Sequence, residues 1–147
     1  MKEGIQMLFV LLAALQKQQY NLRILHWKST GLDFHTTHVE VLDGYIDKFG
    51  EYIDQVAEMM ILANEKIPSA KELENIASKS KVDMELPVKE YDSEEIFSSI
   101  YKIFNLIISV IDKCGKNNYP SYIQSELDSI MYWFQIEGRY KTKQTLS

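Results

Sequence analysis

Cysteine is nearly absent. Cys114 stands alone in 147 residues, so no intrachain disulfide can form. One cysteine fits a reducing compartment, the cytoplasm, and without a neighbouring cysteine it argues against a structural zinc site. Basic charge is in deficit. Sixteen Lys and Arg against 21 Asp and Glu leave a formal charge of -5. That excludes a general electrostatic attraction to nucleic acid; phosphate binding would need a local basic patch. The apolar run from Met7 to Leu15 is about the length of a signal-peptide core, but it is too short to span a bilayer. Glu3 precedes it and the run continues unbroken into QKQQYNLRILHW, so it reads as a buried helix rather than a cleaved leader, and no membrane association is expected. Strand-like alternation, internal repeats and low-complexity tracts are all missing.

What is present suits a globular chain. Hydrophobic residues make up 46% and charged residues 25%, enough for one ordinary core, and the length predicts a single domain over residues 1–147. Periodicity predicts four long helices. The first runs from about Ile5 to Lys28, with Leu8, Leu12, Leu15, Leu22 and His26 on one face, and Ser29 to Gly31 ends it. The second runs from about Thr36 to Ala63, with Val41, Tyr45, Ile53, Val56 and Met60 on its apolar side. Lys66 to Glu90 is a long connection carrying a short helix, Ser69 to Ala77, with Ser69 as N-cap and Glu72 three residues on. Asp92 or Ser93 caps a third helix whose stripe is Ile96, Ile100, Ile103, Ile107 and Ile111, stopping near Gly115. Pro120 and Ser121 open a fourth, with Ile123, Leu127, Ile130, Met131 and Phe134 inside and a frayed polar tail, KTKQTLS. The fold class is therefore all-α: a four-helix bundle with a short extra helix in the long connection between helices 2 and 3.

Coordinating chemistry concentrates in one stretch, HWKSTGLDFHTTHVEVLDGYIDKFGEYIDQVAE, from His26 to Glu58. It holds all three histidines: His26, His35 and His38. Asp43, Asp47, Asp54 and Glu58 follow at i, i+4, i+11 and i+15, which keeps them within about 60° of one another on a helix turning about 100° per residue. Taken singly, each signal has a plain reading. Four acids on a stripe make a solvated face, and a lone histidine closing an apolar face is usually a satisfied core residue. Together, imidazole nitrogens and carboxylate oxygens suit iron, manganese or zinc.

The segment resembles the Dps family, the DNA-binding proteins from starved cells, or mini-ferritins. Their pattern is a helix ending in His-Trp, a Gly five residues after that His, a Phe three further on, and a second His twelve after the first. His26-Trp27, Gly31, Phe34 and His38 stand at those intervals. The family's second helix carries Asp-x-x-x-Glu, matched by Asp54-Gln55-Val56-Ala57-Glu58. The resemblance implies a ferritin-like fold and an iron ferroxidase site shared between two subunits. His26, His38 and Asp43 of one chain would face Asp54 and Glu58 of its two-fold mate, with Trp27 beside them. His26, Asp54 and Glu58 would carry the oxidation of Fe(II) by hydrogen peroxide or oxygen. It also implies a homo-oligomer, a hollow shell of twelve, that stores iron and protects against oxidative stress. Manganese or zinc suits the same ligands.

One departure is plain. In the family the second His and first Asp are four apart; His38 and Asp43 are five apart, about 140° around an unbroken helix. Either His38 lies before the helix begins, or a π-bulge resets the face. Gly44 and Gly50, costly inside a helix, are candidate places for such a defect. A bulge after Leu42 would put Leu42 in Asp43's place, and His35 is a further candidate ligand. The ferritin alternative, Glu-x-x-His within one chain, is absent, because the residues three before each histidine are Arg23, Leu32 and His35. An HExxH zinc helix is absent too. DNA binding in the family commonly uses a lysine-rich tail. MKEGIQ is nearly neutral and the Arg139 to Lys143 end only mildly basic, so DNA binding is not favoured. The competing reading is a ferritin-like bundle that binds a partner or DNA without productive metal chemistry.

Overall fold

The computed structural model describes residues 2–116 and 119–147. Its elements are α1 (Lys2–Lys28), a π-helical turn (Thr36–Leu42) running straight into α2 (Asp43–Leu62), α3 (Ala70–Lys79), α4 (Ser93–Gly115), α5 (Ser121–Trp133), a second π-helical turn (Phe134–Lys141) and α6 (Thr142–Leu146). The last three form one continuous rod, so the four long rods of the bundle are α1, the first π turn with α2, α4, and α5 to α6. The short α3 lies in the long second connection, as expected. Among the described residues there is no strand, only an isolated bridge between Ser29 and Tyr91, and no helix is long and apolar enough to cross a membrane.

Local rules account for the helix starts. Ser69 accepts from the Glu72 N–H while Glu72 reaches back to the Ser69 N–H, and Asp92 and Glu95 make the same reciprocal box for α4. Packing then does most of the stabilising. Leu8, Leu11, Leu15, Leu22 and Leu25 of α1 meet Phe49, Val56 and Met60 of α2 and the isoleucine stripe of α4, all fully buried. Each such side chain contributes about 1.5–3 kcal/mol of transfer free energy. Ile96, Ile100, Ile103, Ile107 and Ile111 are buried as their spacing predicts, and so are Ile123, Leu127, Ile130 and Phe134.

Two expectations need correction. The buried face of α2 is Ile46, Phe49, Tyr52, Val56, Met59 and Met60, with Leu42 just before it. Val41, Tyr45 and Ile53 are only half-buried against that core. Val56 and Met60 are buried as expected. The frayed tail is also helical. Thr142 is buried, and its hydroxyl donates to the Glu137 carbonyl at 3.2 Å.

The long connection is tied to α1 by two buried amides. Gln18 Nε2 donates to the Val82 and Met84 carbonyls, and Asn21 donates to Met84 O at 2.7 Å while accepting from the Leu86 N–H. Further on, the Tyr91 N–H donates to Lys28 O and the Thr30 N–H donates to Tyr91 O, both at 2.9 Å. The end of α1, where His26 sits, is thereby clamped from outside the bundle.

Candidate metal centre

His26 lies in the last turn of α1, and His38 lies within the first π turn. A short reversal joins them. Gly31 adopts φ +105°, a region that suits glycine alone, and the Phe34 N–H donates back to Gly31 O at 3.1 Å. The chain folds over so that the two imidazoles stack, with centroids 3.6 Å apart and planes inclined by 28°. Phe34 stacks on the opposite face of His38 at 4.7 Å. His38 Nδ1 stands 2.7 Å from the His26 carbonyl. A carbonyl can only accept, so Nδ1 carries a proton, and in the neutral ring Nε2 is then the nitrogen with the lone pair. Ser29 Oγ, which donates to the same carbonyl, is 3.5 Å from His38 Nδ1.

The inserted residue is absorbed in the π turn, and His38 lies inside that turn rather than before it. The Asp43 N–H donates to His38 O, an i to i+5 bond. The turn closes upstream of Asp43, which sends Leu42 into the core and Asp43 toward α1. Leu42 therefore does not take the ligand's place. Gly44 and Gly50, the candidate defects, lie in regular helix instead. Asp43 Oδ1 approaches His26 Nε2 to 2.6 Å, with side chains 51% and 18% exposed. The distance is that of a strong hydrogen bond, yet His26 Nε2 is enclosed and forms none. The two atoms touch without the alignment a hydrogen bond needs; the geometry outranks the distance here, so the pair is a contact and not a finished bond.

The structure thus brings His26, His38 and Asp43 into one neighbourhood. It leaves His35 exposed at the start of the π turn, and Asp47 exposed on α2. Asp54 and Glu58 are exposed one turn apart, farther along the same helix. Eleven residues at 1.5 Å each put Asp54 about 16 Å along the axis from Asp43, so one chain does not close both ends on a single ion. Correspondingly, no group of three or more His, Cys, Asp or Glu among the described residues is arranged to hold a metal. Trp27, beside His26, is 58% exposed and meets the edge of Tyr20 at 6.0 Å. Cys114 is buried at the far end of α4, where burial pushes its thiol up to about 12, well away from thiolate chemistry.

No protein-family model matches the sequence, and no curated protein does. Solved structures do match. The chain superposes on Dps from Staphylococcus aureus with a TM-score of 0.84 at 15% identity, covering 100% of this chain and 97% of that one. Antigen TpF1 from Treponema pallidum gives 0.85 at 16% identity, over 99% and 92%. Dps from Listeria monocytogenes gives 0.73 at 21%, over 97% and 92%. At these identities the likeness is one of fold: the chain has the ferritin-like helical bundle of the Dps structures.

Proposed function

We propose that this chain is one subunit of a Dps-like homo-oligomer that takes Fe(II) as substrate, oxidises it with hydrogen peroxide or oxygen, and holds the ferric product in a hollow shell of twelve subunits in the cytoplasm. Such a protein removes peroxide and free ferrous iron together, which protects against oxidative stress. The observation that carries the reading is the division of ligands. His26 Nε2 is enclosed and unbonded at 2.6 Å from Asp43, and His38 presents a lone pair beside it. The matching acids, Asp54 and Glu58, wait on an exposed face that their own chain cannot turn inward. A two-fold contact placing α2 of one subunit over α1 of its mate would complete the set.

The donor set fits the substrate. Neutral imidazoles and a few carboxylates bind a borderline ferrous ion without saturating it. Carboxylates favour the harder ferric ion that forms, so the product is drawn toward the acids. Each peroxide takes one electron from each of two ferrous ions and leaves as hydroxide. Manganese or zinc would occupy the same groups and compete.

A second reading has a specific observation behind it: no described residues of one chain form a metal-ready group. It makes the protein an interaction bundle with no metal chemistry. DNA binding is a weaker version, since the C-terminal segment is helical and the chain is acidic. The test is to load Fe(II) anaerobically, add peroxide, and follow ferric absorbance, with light scattering on the same samples. Wild type should oxidise rapidly as a large assembly, and Glu58→Ala and His26→Ala should fall to the uncatalysed rate. Equal background rates in all three, or a stable monomer, would reject the ferroxidase.

A further inference from the structure

Phe34 has no place in the hydrophobic core. It is 43% exposed and lies outside the cluster that fills the bundle. Its ring contact is with His38, at 4.7 Å and 27°. A phenylalanine that packs outside the core contributes little to the bundle, so its position calls for another account. The turn that carries it is strongly tied. Gly31 sets the reversal. Asp33 accepts from the Thr37 N–H at 2.9 Å through its carbonyl, and from the Ser93 hydroxyl at 3.0 Å through its carboxylate. Phe34 is therefore delivered to His38 by a turn anchored on both the next helix and the start of α4.

Histidine χ2 is a broad, two-fold torsion. A ring free to turn over would trade Nδ1 for a carbon against the His26 carbonyl and lose the hydrogen bond that sets its tautomer. In this chain the ring lies in a slot. His26 is 3.6 Å away on one face and Phe34 is on the other, with the carbonyl acceptor 2.7 Å away at its edge. We infer that Phe34 is a positioning residue: it closes the slot that holds His38 in one orientation, Nδ1 protonated and Nε2 presented to metal, before any metal arrives. The inference rests on His38 being a ligand in the proposed ferroxidase. Outer contacts of this kind change metal affinity on the order of tenfold or more.

The test uses the full chain, metal-free, at a pH of about 8, above the ordinary histidine range near 6.5. Long-range proton–nitrogen NMR of the imidazoles reads the His38 tautomer directly. Co(II) titration, followed by its visible bands, then reads affinity. Wild type and Phe34→Tyr, which keeps a ring face, should show one Nδ1–H tautomer. Phe34→Ala should show a mixture and bind Co(II) on the order of tenfold more weakly, with helix content and assembly unchanged. Phe34→Leu keeps apolar bulk without a ring and serves where the alanine variant does not fold; it should behave like Phe34→Ala. A single tautomer retained in Phe34→Leu, with Co(II) affinity equal to wild type, overturns the inference. Should wild type bind no Co(II) at all, the ferroxidase reading fails, while the tautomer comparison still decides for or against Phe34.

Discussion

Thr36–Leu42 and Phe134–Lys141 are both π turns set into long rods, and they sit in opposite surroundings. The first lies largely at the surface. Thr36 and Glu40 are exposed, while Thr37 and Leu42 are buried and Val41 is half-buried against the core. The Gly44 that follows has nothing within 4 Å of where a Cβ would lie. The second is tightly packed on its inner face, with Phe134 and Gly138 buried. A Cβ on Gly138 would lie only 1.9 Å from Phe104 Cδ2. Trp133 and Phe134 stack around the same ring at 5.7 and 5.2 Å, and Tyr45 joins from α2 at 5.0 Å. One wide turn adjusts phase ahead of a site; the other lets two rods approach closely. A π turn is thus a local answer to a non-local demand, and only its neighbours reveal which demand.

The contrast breaks most visibly at the two glycines. Gly138→Ala should lower stability by about 1–3 kcal/mol through overpacking against Phe104, seen as a fall in the urea midpoint. Gly44→Ala should move the midpoint the other way, by about 0.5–1 kcal/mol, since only helix propensity changes. A destabilised Gly44→Ala would mean that the first turn is as confined as the second.

Tyr45 links the two turns, two residues past Asp43 and with the Thr142 hydroxyl beside its phenol. Removing the phenol oxygen in Tyr45→Phe should cost no more than about 1 kcal/mol at neutral pH. Burial, with Glu137 adding to it, pushes its phenol from 10.0 up to about 12, and burial with Glu51 does the same for Tyr52. In the unfolded chain these phenols ionise first, near 10. Their stabilising share is therefore complete below pH 10 and is lost as pH rises from 10 toward 12. Urea midpoints across that range should fall less steeply in Tyr45→Phe than in wild type; an identical slope would remove Tyr45 from the account.

The smallest effect is expected from deleting Glu40. Without it the first turn can close as ordinary α-helix, leaving His38 and Asp43 four apart on one face. Stability should change by no more than about 0.5 kcal/mol, and Co(II) affinity should match wild type. Lost affinity in a folded deletion variant would show that the π geometry itself, rather than the phase it restores, serves the site.

Much of this architecture is readable from the chain alone, for reasons that are local. Ile96, Ile100, Ile103, Ile107 and Ile111 recur at helical spacing and are buried together. Ser69 with Glu72, and Asp92 in its own box, need only their neighbours three residues on. His26, His38 and Asp43 were legible as candidates by residue type, and the question of phase between them was visible as a spacing of five. Its answer was not. Glycine is the residue that tolerates a helix defect most cheaply, which directed attention to Gly44 and Gly50. The turn formed instead in TTHVEVL, which has none, because Thr37 and Leu42 must both face inward with one residue too many between them. The slot around His38 was equally hidden, although Phe34 was in view, since a ring stacked across a reversal has no periodic signature.

From sequence came the helices, their caps, the identity of the coordinating groups and the acidic balance, all of which depend on residues a few positions apart. Only the folded chain decided where the surplus residue is absorbed, that Asp43 rather than Leu42 turns to His26, and that the final segment stays helical against Tyr45. Those outcomes follow from how rods distant in the chain fit against one another, and packing of that kind leaves no mark in any short window of residues.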